Sequence, residues 1–180
     1  MSPRRVVEHE LSKDKILNVA RILFSSQGIQ QVSMRDIAKE LGYSHGSIYY
    51  HFKNKTDLFS EILTKDFDLL NQTLDRVVCN EHSLKEILLG FIEFGLTYPY
   101  HYEIMFMNKD NSFLNHPASD ESYKRFVQEV SKFHISLSQI YSLFLSIHGF
   151  ISFNLRIPLS YDELKSSALE HVDFLLKNIH

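Results

Sequence analysis

The chain has 180 residues, 44% of them hydrophobic and 23% charged, with a formal net charge of −3 and one cysteine. That length holds one domain, or a small module joined to a larger one, with core enough to fold without disulfides. With Cys79 alone, neither an internal bridge nor a cysteine zinc set can form, and the residue reads as a small buried thiol of an intracellular protein.

Four prolines and six glycines punctuate the sequence, and the stretches between them are too long and too clearly 3.6-periodic to be strands. An all-α fold of nine helices follows. In the first helix Ile16, Val19, Ala20, Leu23 and Phe24 make one apolar stripe, stopped by Gly28 in a left-handed conformation. Ser33 caps the second, whose Ile37, Ala38 and Leu41 face inward before Gly42 ends it. Ser44 caps a short third helix that buries Ile48 and Phe52. Asn54 and Asp57 open a fourth, which carries Leu58, Phe59, Ile62, Leu63, Leu69, Leu70, Leu74, Val77 and Val78. It extends over about 35 Å, enough to leave a small head and enter a second body.

Ser83 to Glu86 is a capping box for the fifth helix, with Ile87, Leu88, Phe91, Ile92 and Phe94 inward and an end before Pro99. A short sixth helix carries Tyr102, Ile104, Met105 and Phe106, and NKDNSFLNHPASD, residues 108–120, reads as a polar loop. Two further patterns begin near Glu121: Tyr123, Phe126, Val127, Val130 and Phe133, then Ile140, Leu143, Phe144, Ile147, Ile151 and Leu155, halted by Pro158. The ninth runs from Tyr161 with Leu164, Ala168, Val172, Leu175 and Ile179 along one side.

A helix, a turn opening on glycine and a second short helix set at a large angle form the helix-turn-helix arrangement, whose second helix enters the major groove of DNA. That groove is about 12 Å wide, so the entering helix must be slim. Ser44, Gly46 and Ser47 are small and let the backbone approach, while His45, Tyr49, Tyr50 and His51 put hydrogen-bond donors at the rim, where phosphate oxygens lie. Charge is divided to match. Up to residue 60 nine Lys/Arg stand against six Asp/Glu, a net +3, and the remainder carries −6.

The stretch SMRDIAKELGYSHGSIYYHFKNKTDLF, residues 33–59, resembles the N-terminal signature of the TetR (tetracycline repressor) family of bacterial transcriptional regulators, and the likeness runs from Ile16 to Leu63. It implies a helix-turn-helix DNA-binding domain over residues 9–69, with its motif at 33–52, and an effector-binding and dimerisation domain over 70–180. The body is loosely similar to one TetR-type class: YPYHYEIMF resembles that class's proline-initiated segment and IHGF its His-Gly helix, with Phe144 where the class carries tryptophan. Carried over residue by residue, the resemblance implies that Ser33 and Arg35, then Ser44, His45, Gly46, Ser47, Tyr49, Tyr50 and His51, and finally Lys55 face DNA. Tyr49, His51 and Lys55 are expected on phosphates, and Arg35, His45 and Ser47 nearest the base edges. His45 stands where the family frequently has lysine. Plainer roles stay open: Tyr50 packs on the head's core, His51 satisfies a local backbone group, or Lys55 is a solvated first-turn lysine.

Residues 87–155 are rich in aromatics and methionine, a pattern that suits a packed bundle and equally an apolar cavity with a few polar anchors. The resemblance implies an inducer pocket there, with Phe91, Phe94, Tyr98, Tyr102, Met105, Phe106, Phe126, Phe133, Tyr141, Phe144 and His148 as candidates. The last two helices carry more apolar surface than one small body covers. By resemblance they form a four-helix bundle with a second copy, through Ile147, Ile151, Leu155, Leu164, Ala168, Val172, Leu175 and Ile179. The expected function is a ligand-responsive regulator, most often a repressor, that binds a palindromic operator in double-stranded DNA as a homodimer and is released by a small-molecule effector. The alternative is a DNA-binding dimer with no effector. A closed interior favours that alternative, and a lined cavity of about a few hundred Å³ favours ligand control.

No enzyme is expected, since G-x-S-x-G, the Walker loop, G-x-G-x-x-G and H-E-x-x-H are all absent from the sequence. The ten histidines offer no i, i+4 pair beside a carboxylate, so neither a metal nor another cofactor is expected. No apolar segment of secretory type follows Arg4 and Arg5, and no apolar run approaches the about 18 residues of a membrane span. A cytoplasmic protein without membrane contact is the expectation.

Overall fold

The computed structural model describes residues 11–80, 83–107, 116–177 and 179, without the side chains of Cys79 and Asn80. Three expectations fall outside these: the reading of residues 1–10 as other than a secretory signal, the burial of Cys79, and the polar loop over residues 108–115. Among the described residues the chain forms nine helices and no strand: α1 (Lys13–Gln27), α2 (Met34–Leu41), α3 (His45–His51), α4 (Lys55–Asn80), α5 (Leu84–Thr97), α6 (Pro99–Phe106), α7 (Pro117–Ser131), α8 (Leu137–Asn154) and α9 (Tyr161–Lys177). The chain divides into two compact units, a head of residues 1–62 and a body of residues 63–180. The division falls inside α4, earlier than the boundary after residue 69 that the sequence suggests.

In the head, α1 buries Ile16, Leu17, Ala20 and Phe24, α2 buries Met34, Ile37 and Ala38, and α3 buries Ile48 alone. Leu58, Phe59 and Ile62 of α4 complete that core. Each of the first three helices starts at a serine whose side chain accepts one of the orphan backbone N–H groups: Ser12 from Lys15, Ser33 from Asp36, Ser44 from Ser47. At Ser33 the bond is reciprocal, because the Asp36 carboxylate accepts from the Ser33 amide at 2.8 Å and from its hydroxyl at 2.6 Å. Those bonds hold the Asp36 carboxyl below the usual carboxylate range. Gly42 ends α2 in the left-handed region with φ 73° and ψ 24°. Gly28 differs from expectation: φ is 88° but ψ is 143°, an extended rather than helical left-handed cap, and its N–H still reaches the Phe24 carbonyl at 2.9 Å.

The body is assembled on α5. Ile87 through Ile92 are all buried, as are Phe94 and Gly95, so this helix is apolar on nearly every side and has to be surrounded. It packs on α6, α8 and α9. Two glycines let neighbouring helices close in. A Cβ on Gly90 would lie 2.9 Å from Val77 Cγ2 of α4, and one on Gly95 would lie 2.7 Å from Ile151 Cγ2 of α8 and 3.0 Å from Tyr102 Cδ2 of α6. Pro117 sits in the first turn of α7, where its missing N–H costs nothing, and His116 caps it by accepting from the Ala118 amide at 3.3 Å. The last four residues of the expected polar loop are therefore helical.

The expected dimer stripe requires correction. Ile147, Ile151, Ala168 and Val172 are 0% exposed and Leu164 is 6% exposed, all within one chain. Leu155, Leu175 and Ile179 are half-buried. Side chains already enclosed by their own chain have no surface to give to a second copy. α8 has a second apolar face instead, on which Tyr141, Leu145 and Phe153 are 59%, 48% and 69% exposed, and on α9 Phe174 is 65% exposed.

Gly95→Val should lower the stability of the full chain by about 1–3 kcal/mol in urea unfolding, because the added methyls collide with Ile151 and Tyr102. Unchanged stability would contradict the close approach of α5 and α8.

Candidate nucleic-acid interface and ligand cavity

On the head, α3 is held by Ile48, which is 0% exposed, and turns most of its other side chains outward. Ser44, His45 and Gly46 are exposed, Ser47 and His51 half-buried, and Tyr49 and Tyr50 are 44% and 87% exposed. Tyr50 is therefore no part of the head's core. The ring of His45 meets Tyr49 edge-on at 4.6 Å, and Tyr50 meets His51 likewise at 5.3 Å. Ser44 and Ser47 join their hydroxyls at 2.7 Å. A Cβ on Gly46 would meet only Ser44 Oγ, at an ordinary 3.9 Å, so nothing in the fold requires glycine there. Ser33 and Arg35 lie exposed at the start of α2.

Lys55 behaves otherwise. Its ammonium donates to the Ile29 carbonyl at 2.8 Å and the Val32 carbonyl at 3.1 Å, tying the first turn of α4 to the α1–α2 connection. Two of its three donors are thus engaged inside the head, which gives Lys55 a structural role that the sequence reading did not include. The sequence offers no sign of this, since the two carbonyls lie more than twenty residues away. Lys53, two residues earlier, is an exposed cation at this corner.

On the body a cavity of about 430 Å³ opens among five helices. Phe91, Phe106, Phe126, Phe144 and His148 line it, as the sequence suggests. The other candidates lie elsewhere. Phe94, Tyr102 and Met105 are 0% exposed and belong to the packed core. Tyr98 leans on the rings of Phe94 and His101, Phe133 is half-buried beyond the end of α7, and Tyr141 is exposed. Phe67, Leu70 and Leu74 of α4 also line the cavity, with Ser119, Asp120, Ser122 and Tyr123 of α7 and Leu145 of α8. The α4 contributors are visible in the sequence only as part of a long apolar stripe, and the start of α7 is hidden by its proline.

His148 connects the cavity to the core. Its Nδ1 lies 2.7 Å from the Tyr102 hydroxyl, and its ring stacks at 13° on Phe144 and at 26° on Tyr102. Burial pushes the His148 pKa down and the Tyr102 pKa up, so both favour their neutral forms. Among the described residues no group of three His, Cys, Asp or Glu side chains is arranged to hold a metal ion, and no helix is long and apolar enough to cross a membrane.

Residues 16–62 match the family model described as "Bacterial regulatory proteins, tetR family". Over 62 residues the chain is 47% identical to the HTH-type transcriptional regulator AcrR of Shigella flexneri, covering 34% of this chain and 29% of AcrR. The likeness to the tetR family thus lies in the head. An HTH-type transcriptional regulator of Staphylococcus aureus is 31% identical over 87 residues, 48% of this chain and 47% of that protein. The matched stretches thus span less than half the length of either relative. In fold, the chain is similar to a TetR-family transcriptional regulator from Bordetella parapertussis, with a TM-score of 0.74 and 18% identity over 93% of this chain and 95% of that one. So low an identity carries the fold alone.

In the head, Lys55→Met should lower stability by about 1–2 kcal/mol and speed amide exchange over residues 28–33, because two carbonyls lose a charged donor. Exchange and thermal unfolding identical to wild type would return Lys55 to a solvated role.

Proposed function

We propose that the protein is a DNA-binding transcriptional regulator, acting as a repressor that binds a palindromic operator as a homodimer and lets go when a small molecule fills the body's cavity. The observation that carries the first part is the outer face of α3. It presents exposed hydroxyl, imidazole and phenol groups around Gly46, a glycine that the fold itself does not need. A position kept without a side chain for no internal reason suits close approach by an outside body. A helix this slim enters a groove about 12 Å wide. We take Lys53, Tyr49, Tyr50 and His51 for phosphate contacts, and Arg35, His45 and Ser47 for base edges.

One short recognition helix covers few base pairs, so two heads on a symmetric operator are needed, with half-sites about one helical turn apart or a multiple of it. Leu145, Phe153 and Phe174 are the surface proposed to join the copies, in place of the enclosed stripe. The cavity supports ligand control over a constitutive dimer, since about 430 Å³ lined mostly by aromatic side chains matches a small-molecule site. α4 supplies Phe67, Leu70 and Leu74 to that cavity and Leu58 and Ile62 to the head, so a ligand that favours one setting of α4 acts on both.

Selection of bound sequences from random duplex DNA by the full chain should enrich a palindrome, and no enrichment would contradict the proposal. Against that operator, Gly46→Ala should gain up to about 1 kcal/mol in stability yet bind at least about tenfold more weakly. Binding as tight as wild type would remove the groove-entry role of α3.

A further inference from the structure

We propose that Tyr102 fixes His148 as a permanent hydrogen-bond donor to the cavity, so that the cavity selects apolar molecules carrying a neutral oxygen acceptor such as a ketone. This deepens the reading of the cavity as a small-molecule site and rests on it.

The Tyr102 side chain is 0% exposed, and its hydroxyl lies 2.7 Å from His148 Nδ1. Among the described residues no other group bonds that hydroxyl. If Nδ1 carried the proton, the phenol would accept it and its own hydrogen would be stranded without an acceptor, a costly state for a buried group. The hydroxyl therefore donates, Nδ1 accepts, and the single proton of the neutral ring sits on Nε2. The ring lies nearly parallel to those of Phe144 and Tyr102, which set its plane. Burial supports the neutral state of both partners.

His148 belongs to the cavity wall, and among the described residues nothing takes the Nε2 hydrogen. A fixed donor in an aromatic wall calls for an acceptor. The charge of that acceptor follows from the rest of the lining. Among the described lining residues there is neither lysine nor arginine to balance an anion, and the one charged side chain, Asp120, repels it. A cation would be drawn to Asp120 but would leave the Nε2 hydrogen without an acceptor. What remains is a neutral carbonyl or ether oxygen on a largely apolar frame.

Three naphthalene dyes of like shape test this by fluorescence titration of the full chain: the propionyl-dimethylamino ketone, its propyl analogue without the oxygen, and a trimethylammonium analogue. The wild type should bind the ketone about five- to tenfold more tightly than the propyl dye, the scale of one hydrogen bond, and the cationic dye more weakly than the ketone. His148→Phe and Tyr102→Phe should reduce that preference, read as the ratio of the two affinities within each variant, to about twofold or less; His148→Gln, which keeps a donor, should retain part of it. Tyr102 acts through His148, so a long-range nitrogen–proton correlation spectrum should show His148 protonated on Nε2 in wild type and in mixed tautomers in Tyr102→Phe. Equal binding of ketone and propyl dyes, tightest binding of the cation, or a proton on Nδ1 would each overturn the inference and leave the cavity a ligand site. Failure of all three dyes to bind would overturn the cavity reading, and the inference with it.

Discussion

Phe91 is the side chain around which the body is organised. Its ring meets those of Tyr102, Phe106, Phe126 and Phe144 at centroid distances of 6.2, 5.8, 5.9 and 5.9 Å, so that α5, α6, α7 and α8 are joined through one point. Aromatic rings prefer edge-to-face and tilted contacts, and rings set at such angles fill space less evenly than aliphatic side chains do. The hollow of about 430 Å³ lies beside this cluster, with four of the five rings on one of its walls or another. The fifth ring, Tyr102, is enclosed and gives the cavity its hydroxyl only through His148. Because α5 has almost no outward face, the helices that cover it share their support, and a shift at one wall is transmitted to the others.

The head is built on a different economy. Serine caps start α1, α2 and α3, and a few fully enclosed aliphatic side chains lock them together. α3 gives the core one residue, Ile48, which leaves its outer residues with little structural duty. A face of neutral donors with few charges is consistent with a chain whose net charge is −3, because a grip made of phenol, hydroxyl and imidazole groups depends on geometry more than on long-range attraction.

What the sequence made legible follows from the range of the interactions. Caps at Ser33 and Ser44, the left-handed Gly42 and the buried Ile16, Ala20 and Phe24 of the α1 stripe depend on neighbours three or four residues away, and they stand as read. The order of the nine helices follows from those local signals. Five of the eight residues expected in the dimer stripe are enclosed, for a reason of principle: a 3.6-residue period marks a face as apolar without saying whose chain covers it. Ile147 and Ile151 are enclosed, Ile151 against Gly95 of α5, while Leu145 and Phe153 stay exposed. The cavity wall was half legible, since aromatic residues can be counted in a sequence but their packing angles cannot. Lys55 and His148 both take their meaning from partners far along the chain, two backbone carbonyls in one case and a phenol 46 residues away in the other.

Ligand-controlled release is the central claim, and a chain whose cavity is filled from within tests it most directly. Leu74 lines the cavity and is only half-buried, so Leu74→Trp puts an indole where a ligand would lie. The measurement is the affinity of this variant for the selected operator beside that of wild type, with folding and dimerisation verified. Ligand-controlled release predicts binding weaker by about tenfold or more, the size of an ordinary allosteric coupling. A folded, dimeric Leu74→Trp chain that holds the operator as tightly as wild type would contradict it.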